Sequence, residues 1–189
     1  MDKVVIIRYG EIFLKGKNRD YFESLLIKNI KHALYGIQCD FTRSQGRYFV
    51  ENYDLDDEDE IVDRLKKVFG IYSLSVAYKV ETKAEQGFCD IKACLKDVAV
   101  RAEEECVLKN AKFRVTVKRA DKRIPKPSYE IAAELGGVVL ANTHFKVDLT
   151  AFDYDFMVDI RENGYSFVFS DVISGAGGLP VGGSSKGLM

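Results

Sequence analysis

Lys3-Val4-Val5-Ile6-Ile7-Arg8-Tyr9, followed by Gly10-Glu11-Ile12-Phe13-Leu14-Lys15-Gly16-Lys17, opens a stretch of alternating element types that continues to Val80. The β-branched apolar run reads as a buried strand, and the segment behind it as a glycine-bracketed loop. Asn18 is placed to cap a helix. Phe22, Leu25, Leu26, Asn29, Ile30, Ala33 and Leu34 then recur at helical spacing, and Gly36 supplies the stop. Ile37 to Thr42 and Arg47 to Glu51 read as strands joined through Ser44-Gln45-Gly46, a hairpin signal. The acidic stretch that follows opens a helix carrying Ile61, Val62, Leu65 and Val68, stopped at Gly70, and Ile71 to Val80 is the next strand. The order β-α-β-β-α-β over residues 3–80 is the ferredoxin-like pattern, a four-stranded antiparallel sheet with helices on one face.

Beyond Val80, a second unit starts with a helix from Phe88 to Leu108 whose stripe is Ile91, Leu95, Val98, Ala99, Ala102 and Cys106. Phe113 to Lys118 alternates apolar Phe113, Val115 and Val117 with polar Arg114, Thr116 and Lys118, a strand with one wet basic face. Pro125 and Pro127 hold the next connection extended, and Ser128 caps a helix through Leu140. Lys146 to Leu149, Asp155 to Arg161 and Tyr165 to Phe169 read as strands, the last two joined by the turn Glu162-Asn163-Gly164. The fold class is α+β. The divisions are 1–56 for the first domain, its last helix and strand reaching to about 80, then 57–169, then a glycine-rich linker over 170–189. That linker ends in Leu188-Met189, which raises the expectation of a further domain beyond it.

The chain has 189 residues, 28 Lys+Arg, 29 Asp+Glu and 47% hydrophobic residues, enough for a sizeable core and unlike a disordered or low-complexity chain. No run reaches the roughly 18 apolar residues that span a bilayer, and Met1-Asp2-Lys3 passes into an apolar run too short for a signal segment, so a cytoplasmic protein with no membrane partner is expected. Cys39, Cys89, Cys94 and Cys106 form no C-x-x-C, and with His32 and His144 alone available no metal site is expected. The net charge of −1 conceals two opposed runs. Glu51 to Asp63 holds eight acids and no base, whereas Lys109 to Lys126 holds eight bases and one acid, Asp121. Either the basic run meets a polyanion or the two runs pair within the fold.

Catalysis within these residues is not expected. Neither histidine stands in a recognised relation to a cysteine or serine, and Gly183 is followed by Ser184-Ser185-Lys186 where a P-loop needs Lys and then Ser or Thr. Gly175-Ala176-Gly177-Gly178-Leu179-Pro180 also lacks the last glycine of a dinucleotide fingerprint. The block from Phe113 to Ile131 is the stronger feature, joining a wet strand, a basic loop and a helix N-terminus. Lys112, Arg114, Lys118, Arg119, Lys122, Arg123, Lys126 and Ser128 form a phosphate grip, and Lys15, Lys17 and Arg19 in the N-terminal loop are expected to meet the same polyanion. Tyr129 is the aromatic placed either to stack on a base or to pack against its helix. Asp148 is expected to order backbone beside the loop or to pair with a base such as Arg161.

Several segments stand in the order found in the tRNA 4-thiouridine synthase (tRNA sulfurtransferase) family. They are Arg8 to Arg19, Lys118-Arg119-Ala120-Asp121-Lys122-Arg123 with Ser128-Tyr129-Glu130-Ile131 and Leu135-Gly136, Val147-Asp148-Leu149, and Gly175 to Gly182. The chain resembles that family over essentially its whole length. The resemblance implies an N-terminal ferredoxin-like domain, an α/β THUMP RNA-binding domain and the linker to a PP-loop catalytic domain absent from the chain. It further implies that this missing domain uses ATP and magnesium to adenylate a tRNA uridine, that a cysteine desulfurase or another persulfide donor supplies sulfur, and that the two N-terminal domains hold the tRNA acceptor end. A link to thiamine thiazole synthesis and a homodimer through the missing domain come from the same resemblance. No cofactor or catalytic residue falls on this chain. Phe152 departs from the pattern, standing where a proline before Asp153 is usual, and residues 183–186 are looser than the family's ending. A THUMP-bearing methyltransferase or deaminase is the alternative within RNA modification, and a ferredoxin-like protein-interaction module the alternative outside it.

Overall fold

The computed structural model describes residues 1–44 and 46–182, without the side chains of Phe13, Leu14 and Lys15. Expectations resting on Gln45, the Lys15 side chain and residues 183–189 lie outside the described residues. Two compact units divide the chain, Lys3–Val76 with Val172–Met189 in one, and Met1–Asp2 with Ala77–Asp171 in the other. The sequence reading set its boundary at 56/57 with reach to about 80. The contact division falls at 76/77.

The first unit contains β1 (Asp2–Tyr9), a kinked 3-10 segment Glu11–Asn18, α1 (Arg19–Ala33), β2 (Asp40–Ser44), β3 (Arg47–Glu51), α2 (Glu58–Leu65) and the start of β4 (Ile71–Glu81). Strand order is β2-β3-β1-β4, with β1 and β2 each antiparallel to β3. The alternation of β1 puts Val5, Ile7 and Tyr9 on the face that packs with Leu26 and Ile30 of α1, Leu34 just after it, and Ile61 and Leu65 of α2. Each fully buried aliphatic side chain there contributes about 1.5–3 kcal/mol relative to exposure. Asn18 does occupy the position before α1, yet its side chain makes no cap bond. The chain arrives already wound, and the Arg19 amide donates to the Gly16 carbonyl of the preceding turn.

The described part of the supposed linker, from Val172 to Gly182, is built into this unit. After Asp171 the chain returns along β4 as β9 (Ile173–Ser174), with Leu74 opposite Ile173 and Ser73 opposite Ser174. The Gly175 amide donates to the Tyr72 carbonyl at 2.9 Å, Gly177 to Ile71 at 2.8 Å, and Gly70 to Gly177 at 2.7 Å. A side chain at Gly175 has no space, because a Cβ there would lie 2.3 Å from the Ile71 carbonyl oxygen. Pro180 is buried, and Asn29 Nδ2 donates to the Val181 carbonyl at 3.2 Å.

The second unit takes the end of β4 and adds α3 (Cys89–Glu104), β5 (Lys112–Arg119), α4 (Ser128–Asn142), β6 (Lys146–Val147), β7 (Tyr154–Ile160) and β8 (Tyr165–Phe169). The order is β4-β8-β7-β5-β6, antiparallel across β4/β8 and β8/β7 and parallel across β7/β5 and β5/β6. Ile91, Leu95 and Val98 of α3 and Ile131, Leu135 and Val139 of α4 close over Phe113, Phe156, Val158 and Ile160. Three differences from expectation have local causes. α3 stops at Glu104 because Glu103-Glu104-Glu105 opposes the negative end of the helix dipole. β6 is two residues long because the Asp148 carboxylate turns the chain. Ser128 is the first helical residue rather than the cap, since Pro127 holds the extended capping position and its carbonyl accepts from the Glu130 and Ile131 amides.

Candidate nucleic-acid interface

β5 delivers the basic block to one end of the second unit. Running parallel to β7, it sets Lys118 opposite Asp159 and Arg119 opposite Ile160, then opens into loop 120–127 leading to α4. Asp121 organises that loop. Its carboxylate accepts from the Arg123 amide at 3.0 Å, from Nε at 2.9 Å and from Nη2 at 2.8 Å, and Arg123 Nη2 also donates to the Glu162 carbonyl at 2.7 Å. Arg119 donates to the Ile124 carbonyl, and Ile124 is buried in the core. The basic segment is therefore a fixed ridge.

The Arg123 guanidinium first, and its amide second, hold the Asp121 carboxyl at a pKa of about 2, below its ordinary 3.8. A folded-state pKa below the unfolded one gives stability that is fully present above the unfolded value and is lost as pH falls through the folded one. Between about pH 4 and pH 2 the wild-type protein should thus lose stability faster than Asp121→Asn. Urea midpoints across that window check this, and parallel curves would remove Asp121 as an organiser of the loop.

The structure sorts the expected site residues. Lys118 and Lys122 are exposed and have no partner among the described residues. Lys112 Nζ binds Asp148 at 2.8 Å, Arg114 binds Asp155 at 2.6 Å and lies 3.9 Å from the centre of the Phe152 ring, and Lys126 shares Glu134 with Lys92. The acidic run binds elsewhere, Glu58 to Lys3 and Asp63 to Lys66 and Lys67, so these bases take carboxylates from outside it. Exposed pairs of this kind are worth about 0–1 kcal/mol, so Lys112 and Lys126 can exchange a carboxylate for a phosphate at little cost. Ser128 opens α4, where the Pro127 carbonyl takes the amides of Glu130 and Ile131 and leaves those of Ser128 and Tyr129 without a helical carbonyl. Tyr129 beside it is 72% exposed, as a stacking residue requires. Lys17 is exposed in the first unit, and Arg19 binds Glu23 at 2.8 Å.

Asp148 orders backbone, as one of its two expected roles required. Its Oδ1 accepts from the amides of Thr150 at 3.0 Å and Ala151 at 2.9 Å, and Oδ2 takes Lys112. The expected pairing with Arg161 is not made. Arg161 is buried and faces Asp159 at 3.7 Å, while Asp148 uses its acceptors within its own turn and on Lys112.

Sequence reasoning missed the wall opposite the ridge. A cleft of about 810 Å³ lies between loop 121–126, segment 81–88 and the turn 163–165, lined by Lys83, Phe88, Arg123, Lys126, Asn163 and Tyr165 among others. Asn163-Gly164 was legible as a turn, but nothing local shows that it faces the basic loop. Lys79 lies 4.7 Å over the Tyr165 ring. Among the described residues no group of His, Cys, Asp and Glu could hold a metal, and no helix is long and apolar enough to cross a membrane.

Residues 4–75 match the family model for the ThiI ferredoxin-like domain, and residues 88–167 match the THUMP domain. A probable tRNA sulfurtransferase of Alkaliphilus oremlandii is 42% identical over 100% of this chain and 47% of its own length. That of Acetivibrio thermocellus is 36% identical with the same coverage. The chain carries a ThiI ferredoxin-like domain followed by a THUMP domain, and over its whole length it is similar to tRNA sulfurtransferases. It spans about half the length of these relatives. Two solved structures share this fold over most of the chain. PH1313 from Pyrococcus horikoshii Ot3 has a TM-score of 0.80 at 32% identity, covering 96% of this chain and 58% of that one. A 4-thiouridine synthetase bound to RNA and ATP has a TM-score of 0.74 at 35% identity, covering 96% of this chain and 44% of the other. TrmN from Thermus thermophilus, at 17% identity and a TM-score of 0.57, shares the fold alone.

Proposed function

We propose that this chain is the tRNA-holding region of a tRNA sulfurtransferase that makes 4-thiouridine, gripping the acceptor end while a further domain does the chemistry. The reading is carried by the likeness to the 4-thiouridine synthetase–RNA complex across both units, together with the exposed cations of the ridge at Lys118 and Lys122. Adenylation of the uridine by Mg-ATP and sulfur delivery from a persulfide donor belong to the half of the relatives' length outside this chain.

The described residues do not fit an ATP site. A phosphate cradle needs unbonded amides in a glycine-rich turn, whereas the amides of Gly175 and Gly177 are given to β4. The thiols do not fit sulfur delivery either. Cys94 is buried in the α3 stripe, where burial pushes its pKa up to about 12, burial also raises that of Cys39, and exposed Cys89 donates its thiol hydrogen to the Asp90 carboxylate at 3.3 Å.

The test mixes the purified chain with unmodified tRNA, Mg-ATP and a persulfide donor. Salt-dependent tRNA binding without thiolated uridine or AMP release is expected. Turnover by these residues would overturn the division of labour. Binding to an acidic protein in preference to tRNA would instead favour an interaction module.

A further inference from the structure

Glu23 is an acid on a buried stripe. It lies three residues before Leu26 and seven before Ile30, both fully buried, and is itself only 3% exposed. A buried carboxylate is costly unless its lone pairs are met by charged donors. Three elements meet them. Tyr9 at the end of β1 donates its hydroxyl at 3.0 Å, Arg19 at the start of α1 donates Nε at 2.8 Å, and Arg43 of β2 brings Nη2 to 2.5 Å. Burial alone would raise the Glu23 pKa, and these partners reverse it, holding the group ionised.

The cluster is oriented. Its anion points inward with a side chain 4% exposed, while its two cations face water at 40% for Arg19 and 49% for Arg43. One carboxylate between two guanidiniums leaves a net charge of +1, displayed outward on two planar forks that a single inner group holds in place. Forks of this type match the oxygens of a phosphodiester. Tyr9 and Arg19 also bracket the 10–18 loop, so the same carboxylate fixes the segment that carries exposed Lys17.

We propose that Arg43 and Arg19 form a phosphate clamp for the RNA backbone on the ferredoxin-like unit, and that Glu23 is its positioning residue. The clamp rests on the tRNA-holding reading above and adds Arg43, a residue that neither composition nor motif singled out. Two accounts of Glu23 make opposite predictions. If the cluster acted only through its net charge, Glu23→Gln would add a positive charge and tighten RNA binding. If Glu23 positions the guanidiniums, the same change loosens them and weakens binding.

The experiment measures tRNA affinity over a salt series for wild type, Arg43→Gln, Arg43→Lys and Glu23→Gln, with thermal unfolding of each. Arg43→Gln should bind roughly tenfold more weakly, with a log–log salt slope shallower by about one. Arg43→Lys should keep the slope but recover affinity only in part, because a point charge replaces a fork. Glu23→Gln should weaken binding at every salt concentration. Wild-type affinity and slope in Arg43→Gln, or tighter binding by Glu23→Gln, would overturn the clamp while leaving the tRNA reading intact. Absence of tRNA binding by the wild type would overturn that reading itself. Should Glu23→Gln fail to fold, the Arg43 pair still decides.

Discussion

Gly175→Ala lowers the stability of the first unit by about 3 kcal/mol, the upper end of what overpacking costs. The added methyl would have to sit 2.3 Å from the Ile71 carbonyl oxygen and 2.9 Å from its carbon, both of them backbone atoms held by the sheet. Relief requires β9 to leave β4, which gives up the bonds from Gly175 and Gly177 and unseats Pro180. Gly136→Ala is the matched comparison. It lies within α4 with nothing beyond its own helix backbone and chain neighbours within 4 Å of the added carbon, so it should be neutral or stabilising by up to about 1 kcal/mol. Urea unfolding of both variants separates these outcomes. Equal midpoints would mean that the glycine-rich segment is a tether and not a structural part.

The larger effect on binding belongs to the ridge. Lys118→Glu combined with Lys122→Glu should reduce tRNA affinity roughly a hundredfold and flatten the salt slope by about two, one for each phosphate left without its cation. Neither lysine has a partner among the described residues, so the fold should survive with an unchanged melting temperature. A filter-binding series from low to moderate salt reads both quantities. Affinity within twofold of wild type would move the RNA away from this loop.

Elements with a strong local period are legible in the order of amino acids alone. The stripe Ile91, Leu95 and Val98 is buried as its period marks, and of the alternating Phe113, Val115 and Val117 the first is buried and the two valines are half-buried against the same core. What the sequence could not display was long-range pairing. Lys112, Arg114 and Lys126 look identical to Lys118 and Lys122 in a charge count, yet Asp148, Asp155 and Glu134 claim the first three from 8 to 41 residues away. The glycine-rich segment misled for a related reason. Its composition is that of a flexible linker, but its amides meet β4 carbonyls about a hundred residues earlier in the chain. Glu23 carried a usable signal, an acid on an apolar helical stripe, which asks for buried cationic partners without saying where they are.

Because β9 completes the first unit only after the whole of the second has been made, the protein on the ribosome passes through a long incomplete stage. The four-stranded sheet can assemble once Val76 has emerged, but its β4 edge stays unpaired at Ser73 and Leu74 until Ile173 and Ser174 arrive. At about 5–20 residues per second, roughly a hundred intervening residues keep that edge open for about 5–20 s. During this interval the nascent chain presents an unpaired strand to its neighbours, and the order of synthesis, rather than the stability of the finished fold, sets its exposure to mispairing.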